Sequence, residues 1–162
     1  MARDSNKEIE LNLVVPADRS WNQPGLYGTS SSPNSAMMQF ELPGLELVAG
    51  ETFRGKVVIN AVEDCNARGV RLELLREERV TAGVRANEQS RIVHSMQIAS
   101  GTKIPRGQHA VVDFALPVPT GLCPGRRTRH SEVRYKIKAV FDRAWASDFQ
   151  VEQEVALYNA SA

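Results

Sequence analysis

Val133-Arg-Tyr-Lys-Ile-Lys-Ala-Val-Phe141 decides the fold. Val133, Tyr135, Ile137, Ala139 and Phe141 alternate with Arg134, Lys136, Lys138 and Val140. That period of two belongs to a half-buried strand, whose successive side chains point to opposite faces. The apolar set needs a core on one side, and the basic set needs water or acidic neighbours on the other. The run Phe149 to Tyr158 repeats the device, with Val151, Val155 and Leu157 on one face and Glu152 and Glu154 on the other. Opposite charges facing each other across strands stabilise a sheet modestly, so the two runs suit one another as neighbours.

Strand signals continue toward the N-terminus. Met38-Gln-Phe-Glu-Leu42 alternates, Pro43-Gly44 turns, Leu45-Glu-Leu-Val48 alternates again, and Ala49-Gly-Glu51 turns into Thr52-Phe-Arg-Gly-Lys-Val-Val-Ile59. Gly55 inside that last run marks a bulge or a close backbone approach. Further strands are expected over Gly69 to Thr81, Ser90 to Ile98 and His109 to Leu116, with Pro117 stopping the last. Arg76-Glu-Glu-Arg79 has helix-forming composition, but the turn spacing around it favours a strand. Short strands separated by Gly and Pro turns argue for an all-β, antiparallel two-sheet sandwich of immunoglobulin-like architecture. The sandwich is assigned to residues 38–158, after an N-terminal strand and Pro/Gly/Ser-rich arm over 1–37 and before a tail over 159–162. In the arm, Ile9-Glu-Leu-Asn-Leu-Val-Val15 alternates as a strand able to pair at a sheet edge, and residues 16–36 read as loop.

The succession of Val48-Ala-Gly-Glu-Thr-Phe-Arg-Gly-Lys-Val-Val-Ile59, Ala67-Arg-Gly-Val-Arg-Leu-Glu-Leu-Leu75, Ile104-Pro-Arg-Gly-Gln108, Val112-Asp-Phe-Ala-Leu-Pro117 and Val133-Arg-Tyr-Lys-Ile-Lys-Ala139 resembles one arrestin-like domain. Each motif is short, and their order over residues 38–158 carries the likeness. The resemblance implies a two-sheet sandwich with a scaffolding or trafficking-adaptor role. Arrestins proper carry two such sandwiches around a polar core, whereas this chain has length for one, so receptor binding and phosphate sensing do not transfer. The nearer resemblance is to bacterial and archaeal single-domain relatives of the sporulation-control type.

The 20 Lys and Arg residues against 19 Asp and Glu leave a net charge of +1, so no global pull toward nucleic acid or an anionic membrane operates. No interleaved aromatics offer a stacking platform for bases, and no nucleic-acid partner is expected. Cys65 and Cys123 are too few and too distant for a disulfide framework, and His94, His109 and His130 stand singly, so neither a metal nor another cofactor is expected. No run approaches the ~20 apolar residues of a membrane helix, and no signal-peptide core follows the N-terminus, which leads to a cytoplasmic expectation. Nucleophile elbows and phosphate-binding glycine loops are missing, and Glu77-Glu78 reads as a solvated face, so the chain is not read as an enzyme.

One local feature rises above this background. Arg126, Arg127, Arg129 and His130 precede Arg134, Lys136 and Lys138, gathering positive charge at a loop and along one strand face. The favoured reading is a protein-binding module acting through strand edges and loops, with self-association through the arm, where Trp21 and Tyr27 either pin the segment or offer contact surface. The alternative is an anionic or carbohydrate ligand held by the Arg126–Lys138 face together with Trp145.

Overall fold

The computed structural model describes residues 23–82, 85–143 and 146–159. Among them every regular element is a strand: β1 (Gly25–Tyr27), β2 (Thr29–Ser30), β3 (Ala36–Leu42), β4 (Glu46–Val48), β5 (Thr52–Ala61), β6 (Cys65–Ala82), β7 (Arg85–Ile104), β8 (His109–Pro117), β9 (Arg126–Arg127), β10 (Ser131–Arg143) and β11 (Phe149–Tyr158). One sheet has the order β1-β3-β5-β8. The other runs β2-β11-β10-β6-β7, with β4 beside the end of β11 and β9 beside the start of β10. All pairings are antiparallel except that of β4 with β11.

The period of two sorts each strand into a buried and a solvated face, and the buried faces of the two sheets meet. Ala36, Met38, Phe40 and Leu42 of β3, with Phe53, Val57 and Ile59 of β5, face Val133, Tyr135, Ile137, Ala139 and Phe141 of β10 in one core. Phe40 meets Phe114 edge-on at 6.2 Å, and Phe141 stacks on Phe149 at 5.8 Å. Such offset and edge geometries are the ones the ring quadrupole prefers. Leucines Leu72 and Leu74 of β6 complete the central layer.

Glycine is required at two places. Gly28 has φ of 110° and joins β1 in one sheet to β2 in the other, so the chain changes layers there. At Gly55 the pairing of β5 with β8 runs through Phe114 without a register shift, so close approach explains the residue. A Cβ at that position would lie 2.7 Å from Phe114 Cζ and 2.8 Å from Leu42 Cδ2.

Three stretches differ from the sequence reading. Within residues 16–36, read as loop, Gly25–Tyr27 and Thr29–Ser30 pair with β3 and β11, and β3 begins at Ala36. Strand β6 extends to Cys65 and β7 to both Arg85 and Ile104, well beyond the expected limits. Arg76–Arg79 lies within β6, hydrogen-bonded on both sides by β10 and β7, which settles strand over helix. The strand expected over residues 9–15, Trp21 and Trp145 lie outside the described residues.

Candidate partner-binding surface

Among the described residues, strand β7 is the far edge of the larger sheet and pairs only with β6. Its backbone therefore presents N–H and C=O groups along one side with no sheet partner, the template that an added strand completes. Two register shifts, between Val70/Arg71 and Leu74/Leu75 of β6, leave Ile98 and Val93 of β7 as extra residues. Bulges of this kind twist an edge and limit indiscriminate pairing. Ile92 is 52% exposed on this strand, and residues 87–92 are exposed throughout.

The solvated face of the larger sheet is a charge lattice. Register sets Arg134 opposite Glu77, Lys136 opposite Glu154, and Lys138 between Glu73 and Glu152. Arg134 Nε donates to Glu77 Oε2 at 2.9 Å, and Lys136 Nζ lies 3.1 Å from Glu77 Oε1 and 3.7 Å from Glu152 Oε2. Arg134 also lies 3.6 Å from Glu88 of β7. Desolvation works against the charged Arg134 guanidinium, but the Glu77 hydrogen bond and the charges of Glu77, Glu132 and Glu154 outweigh it and raise its pKa. Arg134 and Lys136 are thus matched where they stand, while Lys138 faces Glu73 and Glu152 by register alone.

Glu77→Gln removes the shared anion from under two cations. Its side chain is only 16% exposed, so the loss falls between the ~0–1 kcal/mol of exposed pairs and the ~3–5 kcal/mol of buried ones, at about 1–2 kcal/mol. Urea denaturation at low salt should show this drop, and a variant as stable as the parent would make the lattice energetically idle.

Arg126, Arg127, Arg129 and His130 lie elsewhere, at the end of the same sheet. β9 pairs with Glu132 and Val133 of β10, and the chain reverses through Thr128 and Ser131. Ser131 N donates to Thr128 Oγ1 at 3.0 Å, Thr128 N donates to Ser131 O at 2.7 Å, and Thr81 N donates to His130 O at 2.7 Å. These bonds tie the hairpin to β6 and leave all three arginines exposed at its tip. The segment leading into β9 is held by the Tyr135 hydroxyl, which donates to the Cys123 carbonyl. Arg134 and Lys136 therefore sit in ion pairs on the sheet face, apart from the arginines of the tip. Tyr27, in β1, donates its hydroxyl to the Gln23 carbonyl and packs its ring against the core.

Sequence reasoning placed a strand over Ser90 to Ile98 but named no candidate site residue on this edge. Its two bulges break the alternation that would have marked the strand's full length. Cys65 and Cys123 are both free thiols, and burial followed by the charge of Glu63 raises the Cys65 pKa. Among the described residues no cluster of three or more His, Cys, Asp and Glu has metal-binding geometry, and no helix is long and apolar enough to cross a membrane.

Residues 75–160 match the Arrestin (or S-antigen), N-terminal domain. Among solved structures, the sporulation control protein Spo0M from Bacillus subtilis superposes with a TM-score of 0.65 at 15% identity, over 76% of this chain and 49% of that one. The chain thus spans about half the length of that structure, and the likeness is one of fold. No curated protein matches the sequence.

Proposed function

The chain belongs to the arrestin (or S-antigen) N-terminal domain family, and from that premise we propose that it is a non-catalytic adaptor module that takes a protein partner by strand addition along β7. The observation that carries the reading is the 20-residue β7, paired among the described residues on one side only. Main-chain hydrogen bonds along such an edge supply affinity, and alternate side chains supply selectivity. β7 carries Arg85, Arg91 and Lys103 against the single acid Glu88, whose carboxylate already faces Arg134. An extended segment bearing acidic side chains fits this edge better than a basic one.

Photo-crosslinking residues placed singly at Gln89 and Gln97 of β7, at Arg129 of the hairpin tip and at Gln39 of the opposite sheet face test the reading in cells. Adducts to one protein from the two β7 positions, with none from Arg129 or Gln39, are expected. Adducts confined to Arg129 would move the partner surface to the hairpin and end the β7 proposal.

A further inference from the structure

Among the described residues, one buried side-chain polar atom has no hydrogen-bond partner, the Nε of Arg76 in β6. The acid beside it stands off, with Glu78 Oε2 3.9 Å from Arg76 Nη2, beyond hydrogen-bond range. A buried N–H left without an acceptor costs free energy that a suitable acceptor recovers.

Register places Arg91 of β7 directly opposite Arg76, with Tyr135 of β10 on the other side of Arg76. Residues paired in register share a face, so both arginines rise from the core-facing side of the sheet, level with buried Tyr135. Burial raises the Tyr135 pKa, and the charges of Arg76 and Arg91 pull it back, so both cations act on one spot. Like charges set opposite each other in a sheet repel. Glu78, two residues along β6, is the acid that the register sets beside this pair, and its own β7 neighbour is Gln89. Arg91 is exposed at the edge of the sheet. Two facing cations thus share one distant carboxylate, beside a strand edge that lacks a neighbour among the described residues.

We propose that Arg76 and Arg91 form an anion clamp that anchors one carboxylate side chain, an aspartate or glutamate of the strand that adds to β7. The inference rests on the β7 reading and adds to it the position that selects the partner. An added strand lies ~5 Å from β7 and ~10 Å from β6, and its residue paired with Arg91 points to the same face. Arg91 meets that carboxylate as a cross-strand neighbour, and Arg76 reaches it from one strand further in. The carboxylate supplies the acceptor that the Arg76 guanidinium lacks and stands between two like charges. Its two oxygens also suit the planar fork of an arginine.

Two ten-residue peptides of alternating Thr and Val, blocked at both ends, test the clamp, one with a central glutamate and the other with glutamine in its place. Nuclear magnetic resonance on the full chain reads the outward β7 amides for strand addition and the Arg76 Nε–H for the anchor. Both peptides should move the β7 amides, but the glutamate peptide should bind at least ~10-fold tighter and alone shift the Arg76 Nε–H. In Arg91→Gln, with β10 amide shifts unchanged as the check on folding, the two peptides should bind alike. In Arg129→Gln, at the hairpin tip, the preference for glutamate should persist. Equal affinities in the parent, with β7 amides moving, would overturn the clamp and leave strand addition standing. A preference that survives Arg91→Gln would also overturn it, by placing the anchor elsewhere. If neither peptide moves a β7 amide, strand addition along this edge fails and the clamp fails with it.

Discussion

Gly28→Ala is expected to lower unfolding stability by about 2–4 kcal/mol, the sum of backbone strain and overpacking at one position. The backbone at Gly28 has φ of 110°, where a side chain is strained whatever the space around it. Space is also missing, because a Cβ would lie 2.5 Å from Val151 Cγ2 and 3.3 Å from Phe40 Cδ2. Both neighbours are fully buried, so neither can move without disturbing the core. Gly101→Ala separates the two contributions. Its φ of 59° is also positive, but nothing lies within 4 Å of the added carbon. That variant should lose only the backbone share, about 1 kcal/mol. Urea midpoints at unchanged slope measure both. Equal losses in the two variants would mean that the layer change at Gly28 tolerates a methyl group.

The same glycine shows why part of the fold was legible in the sequence and part was not. β10 announces itself because Val133 to Ala139 alternate without interruption and one face is wholly apolar, and β11 repeats the pattern with one break at Gln153. β1 and β2 are three and two residues long, too short for any period, and they lie in a stretch rich in Gly, Pro and Ser that reads as loop. They are strands because Gly28 lets the chain pass between layers and because β3 and β11 offer waiting edges, which is tertiary information. β7 was legible only in its middle, over Ser90 to Ile98, and not in its full length. Extra residues at Val93 and Ile98 put its apolar positions out of phase, and its distal half has solvent on both faces, so neither half shows a clean period. The basic residues of β10 were legible as a face, and their opposition to Glu152 and Glu154 follows from register. The stronger partner, Glu77, was hidden in a stretch whose composition also suited a helix.

Tyr135→Ala is expected to cost about 3–5 kcal/mol and Tyr135→Phe about 1–2 kcal/mol, and the difference between them carries the mechanism. The ring is fully buried at the point where β10 passes from β11, paired at Val155, to β9, paired at Val133. Truncation to Ala leaves a cavity in the core, whereas Phe keeps the ring and removes only the hydroxyl donated to the Cys123 carbonyl. Because that carbonyl holds the segment entering β9, Tyr135→Phe should also quicken amide exchange at Arg127 while leaving Ile137 unchanged. Burial raises the Tyr135 pKa above its ordinary value, against the partial opposition of Arg76 and Arg91. A phenol whose folded pKa is raised contributes stability that is fully present below its unfolded pKa of ~10 and is lost as pH climbs through the folded value. The parent should therefore lose part of its advantage over Tyr135→Phe between about pH 9.5 and the onset of alkaline unfolding. The two proteins share every other titrating group, so the difference in their urea midpoints isolates this one. A difference that stays constant across that window would mean that the hydroxyl ionises as readily in the folded chain as in the unfolded one.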